Sequence, residues 1–134
     1  TFSVTYFTNI IKKIIIHIYV SMKMKEFTNF YKMYIWDISE VKKQIGLFVK
    51  LHRLRKKLSQ PELANEVELS KTHISRIENG EANLTITYII KICNFLEINH
   101  PILFIKLDDS EILKMNQEIN ILEKESKNQK RKKS

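Results

Sequence analysis

Residues 59–80 constrain the fold of this chain more than any other segment, because they punctuate two short amphipathic helices and the tight turn between them. Ser59 can cap the first helix, with Pro61 tolerated in its first turn and Glu62 three residues on to close a capping box. Ser70 can cap the second, and Asn79-Gly80 can end it. Leu63, Ala64 and Val67 make one apolar stripe, and Leu69, Ile74 and Ile77 a second, both at helical rather than strand spacing. Helices this short need each other and a further layer to be stable.

These residues, with Ile45-Gly46, Val49, Arg53 and Leu58-Ser59-Gln60 upstream and Asn83-x-Thr85, Ile89, Ile92, Leu96 and Asn99-x-Pro101-x-x-Leu103-Phe104 downstream, closely resemble the helix-turn-helix family of phage Cro and CI repressors and related bacterial regulators, the XRE-like group. The resemblance runs from Ile45 to Phe104. It implies an all-α, five-helix lambda-repressor-like DNA-binding domain, here with an N-terminal extension and a C-terminal helix. It also implies double-stranded DNA as partner, a homodimer on a palindromic operator, and no cofactor or catalytic residue.

Composition points the same way independently. Only 2 Gly and 2 Pro stand among 134 residues, and from Ile38 onward the apolar residues recur at helical spacing, which favours short helices throughout. The net charge of +8 suits a polyanionic partner, although residues 1–43 carry +4 of it, residues 44–105 only +2 and residues 106–134 the other +2. Affinity for DNA therefore rests on where cations sit, and Lys50, Arg53, Arg55, Lys56 and Lys57 crowd one helix and its exit. A Lys-rich surface is also common in chains with this Ile, Asn and Lys bias. The single Cys93 lies on an apolar helix face and reads as a core thiol, which excludes an intrachain disulfide and suggests a reducing, cytoplasmic location. His17, His52, His73 and His100 lack the spacing of a metal site. No Gly-rich phosphate loop or nucleophile motif is present, so an enzyme is not expected.

The resemblance assigns roles residue by residue. The second helix of the motif should lie in the major groove, with Lys71, Thr72 and Arg76, and more weakly Ser75, toward base edges. Gln60 resembles the family's phosphate-clamping glutamine, at a helix N-terminus whose dipole favours anions. His73 and Asn79 take positions that face the DNA backbone in these repressors, Arg53 is expected near a phosphate, and Arg55 and Lys57 would add attraction from further away. Arg53 and Glu78 match a partly buried ion pair that orients the reading helix. Four positions depart from the family pattern: Glu68 where the turn usually has Gly, His52 for an aliphatic, Leu84 where Pro is frequent, and Glu97 where Gly often ends a helix.

Four segments are expected: an extension at 1–37, the DNA-binding domain at 38–105, an amphipathic helix at 106–126 and a basic disordered tail at 127–134. In the first, Ile10 to Val20 is an apolar run broken by Lys12, Lys13 and His17, too short for a membrane span and without a cleavage site for secretion. The expectation is that residues 1–21 precede the true start, at Met22, Met24 or Met33, which mass spectrometry of the native product would test. Tyr31 to Trp36 suits a short strand or hydrophobic arm. Asp37-x-x-Glu40 resembles a capping box opening a helix to about Lys57, whose Ile38, Val41 and Ile45 would bury against that arm or a second subunit. Beyond Asp108, the residues Ile112, Met115, Ile119 and Leu122 have the spacing of a coiled coil with a second chain. A helix folded back on its own domain fits equally well.

Three functions remain open at this level. They are a sequence-specific regulator, an antitoxin or restriction-modification controller of the same fold with a protein partner on its flanking helices, and a protein- or RNA-interaction module that no longer reads an operator.

Overall fold

Ser59, Ser70 and Thr85 each close the first turn of a helix, their hydroxyls accepting from the backbone amides of Glu62, His73 and Tyr88. The computed structural model containing these helices describes residues 2–34 and 36–133, with the side chains of 6–26, 36–129, 131 and 132. Among the described residues the order is α1 (Phe2–Tyr34), α2 (Ile38–Arg55), α3 (Gln60–Glu66), α4 (Lys71–Glu78), α5 (Ile86–Leu96), a short 3-10 helix (His100–Phe104) and α6 (Asp109–Lys133). The all-α expectation holds. The chain divides into two compact units, Thr1–Trp36 and Asp37–Ser134.

The first unit is the single helix α1. Residues 31–34 are its last turn and not a strand, because no Gly or Pro interrupts the chain from Phe2 to Tyr34. The side chains that would form the arm at 31–35 lie outside the described residues. All side chains described on α1, from Tyr6 to Glu26, are exposed. Among the described residues no helix is long and apolar enough to cross a membrane.

In the second unit α2 is the central rod. Asp37 caps it by accepting from the Ser39 amide at 2.6 Å, while Glu40 turns away to pair with Lys106 at 3.1 Å. Ile45, Phe48 and Val49 pack with Leu63, Ala64 and Val67 of α3, Ile74 and Ile77 of α4, and Ile92, Cys93 and Leu96 of α5. Val41 is half-buried against this core, and Ile38 is exposed in the single chain. It stands one residue past the cap, before α2 meets the core. Gly46 sets the distance between α2 and α4: a Cβ there would strike the Ile77 carbonyl oxygen and come within 2.8 Å of that of Glu78.

Four helices end by the same device. Lys57, Glu68, Gly80 and Glu97 take left-handed φ of 58°, 57°, 73° and 58° after α2, α3, α4 and α5. The next amide in each case, from Leu58, Leu69, Glu81 and Ile98, donates back to the carbonyl five residues earlier. This is the Schellman closure, and only one of the four uses Gly, so the other three carry the strain of a Cβ in that region.

The 3-10 helix replaces the fifth helix of the expected fold. Buried Gln44 holds it to α2, its Nε2 donating to the carbonyls of Leu103 at 3.2 Å and Ile105 at 2.7 Å while its Oε1 accepts from the Leu107 amide at 3.1 Å. Of the two readings of the C-terminal helix, the folded-back one is found. Ile119 is buried against Leu51 and Leu54, flanked by Leu47, Met115 and Leu122, so this stripe is covered within the chain and unavailable as a coiled-coil seam. The helix also continues to Lys133, where a disordered tail was expected from 127 on. Glu, Lys, Gln and Arg are good helix formers, and no Gly or Pro stops them.

Candidate nucleic-acid interface

The turn after α3 and the cap at Ser70 bring α4 across α2, with Ile74, Ile77 and Glu78 inward. The opposite face therefore carries Lys71, Thr72, Ser75, Arg76 and Asn79, of which all but half-buried Ser75 are exposed. The helical spacing that buries one set presents the other.

The orientation of α4 is held from beneath. Arg53 Nε and Nη2 donate to the two carboxylate oxygens of Glu78 at 2.5 and 2.9 Å, a fork in which both side chains are almost wholly buried. The third nitrogen, Nη1, donates to the Leu58 carbonyl at 2.7 Å, and Gln60 Nε2 donates to Glu78 at 3.0 Å. One carboxylate thus joins the end of α2, the start of α3 and the end of α4. Arg53 engages all three nitrogens inside the protein, so its contribution here is to hold position.

The expected phosphate-facing residues diverge. Gln60 is half-buried, with its amide oxygen left over after the bond to Glu78. Lys57 and Asn79 are exposed. His73 is half-buried, its ring 6.3 Å from that of Tyr88 on α5, which turns it toward α5. Arg55 is engaged by Glu118 of α6 through two bonds at 2.7 and 2.8 Å, which raise its pKa and lower that of Glu118. That pairing joins residues 63 apart, and only packing reveals it.

Residues 49–103 match the Helix-turn-helix family model. This segment is a helix-turn-helix domain of the Cro/CI type. A search of the curated proteins found no match. The helix-turn-helix domain takes the lambda-repressor-like fold and belongs to a DNA-binding, non-enzymatic family.

Two residues position the domain in ways the sequence reading did not assign, Gln44 and Gly46. Gln44 reads as a polar interruption of an apolar helix, and its only signal is a neutral hydrogen-bonding group between Val41 and Ile45. Gly46, mid-helix, is a costly choice that signals close approach of another backbone. Of the departures from the family pattern, Glu68 adopts the left-handed turn and pairs with Lys91, which lowers its pKa. Glu97 does the same with Lys56 at 2.8 Å. His52 is half-buried beside Phe48, and burial followed by the Arg55 charge lowers its pKa. Burial raises the Cys93 thiol, which keeps it in the neutral form. Among the described residues no group of His, Cys, Asp and Glu could hold a metal ion.

Proposed function

We propose that the protein is a sequence-specific transcriptional regulator that reads a two-fold symmetric operator as a homodimer, in the cytoplasm. The observation that carries this reading is the outward face of α4, where Lys71, Thr72 and Arg76 stand free on a helix held by the buried Arg53–Glu78 fork. Lys71 and Arg76 donate to guanine O6 and N7, the Thr72 methyl meets a thymine methyl, and Ser75 supplements them. Gln60, Lys57 and Asn79 contact phosphate, with Arg55 and His73 in lesser parts, and these contacts set register rather than sequence.

The homodimer follows from reach. One eight-residue helix touches a few base pairs, and a two-fold copy doubles the site. Ile86, Ile90 and Phe104, exposed around an apolar groove on α5 and the 3-10 helix, offer uncovered surface of the kind that such pairing buries.

Selection from a random DNA library with the full chain tests the reading. The expected result is enrichment of a two-fold symmetric site, with Arg76→Ala lowering its preference over scrambled DNA by about 1–3 kcal/mol. Salt-sensitive binding without any enriched motif would instead favour a partner-binding or RNA role.

A further inference from the structure

The C-terminal helix runs toward the same face as α4. Leu107, just before α6, is tied to Gln44 in the first half of α2, whereas Ser126 and Gln129 lie beside Leu54, Lys57 and Leu58 at its end. The two helices therefore travel in one direction, and α6 outlasts α2. From Gln129 to Lys133 it extends about 6 Å more at 1.5 Å per residue.

The turns of α6 just before that overhang border an open cleft shared with the helix-turn-helix motif. Lys57, Gln60 and Lys71 line one side, and Glu123, Ser126, Lys127 and Gln129 of α6 the other. Its acidic members are occupied: Glu123 pairs with Lys50 at 2.7 Å, and Glu62 accepts from the Ser59 amide at 2.6 Å. Among the described residues Lys57, Lys71 and Lys127 have no ion-pair partner. Lys124, Lys127 and Arg131 recur at three- and four-residue spacing, so they share one side of the helix; all three are exposed, and Lys127 is the one that lines the cleft.

We infer that the end of α6 is a second DNA-contacting element, a rigid basic rail that takes the phosphates flanking the bases read by α4. This rests on the DNA reading above. The occupant is chosen by charge and continuity: three unpaired lysines converge on a cleft that continues the α4 face, and a duplex too wide for an α-helix to read with one element alone presents further phosphates beside it. The stripe Met115, Ile119 and Leu122 supplies the rigidity, because it seats α6 on α2.

The test is the salt dependence of binding by the full chain to its selected site and to scrambled DNA, comparing the parent with Lys124→Gln/Lys127→Gln/Arg131→Gln. The variant should lower the slope of log K against log salt by about 2–3, since each phosphate left without its cation removes about 0.9. It should weaken both DNAs alike, leaving their ratio unchanged. Circular dichroism checks that α6 remains helical, and the single Lys127→Gln, expected to lower the slope by about 0.9, serves if the triple variant does not fold. An unchanged slope, or tighter binding by the variant, would overturn the inference and make α6 a bystander or an obstruction. A parent that binds neither DNA would overturn the DNA reading itself, and this inference with it.

Discussion

The two faces of α2 hold their neighbours by different physics. Toward α4 an apolar contact of Ile45, Phe48 and Val49 with Ile74 and Ile77 is reinforced by a close, polar one: Gly46 lets backbones touch, and Arg53, seven residues on, buries a charge against Glu78. Toward α6 it is an apolar strip of Leu47, Leu51 and Leu54, bordered by the half-buried pair of Lys50 with Glu123 and the more exposed pair of Arg55 with Glu118. The first arrangement fixes an angle, because a fork of two hydrogen bonds tolerates little displacement. The second adds stability through buried area and leaves the pair of Arg55 with Glu118 largely in solvent, where it is worth little.

The sharpest way to break that contrast is Glu78→Ala, which strands the Arg53 charge in the core and should cost about 3–5 kcal/mol. Lys71→Ala, on the exposed side of the same helix, should stay within about 0.5 kcal/mol. Equal denaturation midpoints for the two would refute a buried fork. On the other face Ile119→Ala should cost roughly 2–3 kcal/mol in the same urea titration, at the lower end for a buried Ile because α6 can settle inward. A loss as large as that of Glu78→Ala would show that α6 belongs to the core itself.

Smaller effects refine the picture. A double-mutant cycle on Arg55 and Glu118 should return a coupling of at most about 1 kcal/mol, shrinking as salt rises, since both ends are exposed. His52 adds a pH dependence at the edge of this face. With its folded pKa below the ordinary value near 6.5, the unfolded chain takes up the proton first. Its contribution is complete above about pH 6.5 and is lost as pH falls through the lower, folded pKa. Thermal midpoints at pH 7.5 and pH 5 should therefore lie closer together in His52→Leu than in the parent.

Much of the helix-turn-helix domain was legible because its signals are local. Ser59, Ser70, Pro61 and Gly80 act within one turn of chain, and the stripe of Leu63, Ala64 and Val67 follows from helical period alone. The outward residues of α4 follow from the same period. The flanks were harder. Tyr31 to Trp36 read as a short strand or hydrophobic arm because aromatics and Ile suit one, yet nothing from 31 to 34 ends a helix already under way. The tail beyond Lys127 has nothing to bury, and composition alone could not show that helix propensity would carry α6 on.

What the sequence determined by itself is therefore whatever rests on neighbours within a few residues: caps, turns, the faces of each helix, and through them the family of the domain. Tertiary structure decided what distant residues share. The partner of Arg55 is 63 residues away, Gln44 reaches carbonyls 59 and 61 residues on, and the seam of α6 had two equally good partners until it met α2. A helical stripe specifies that something must cover it. Which surface does so is settled only when the whole chain competes for burial, since burial follows area and carries no address.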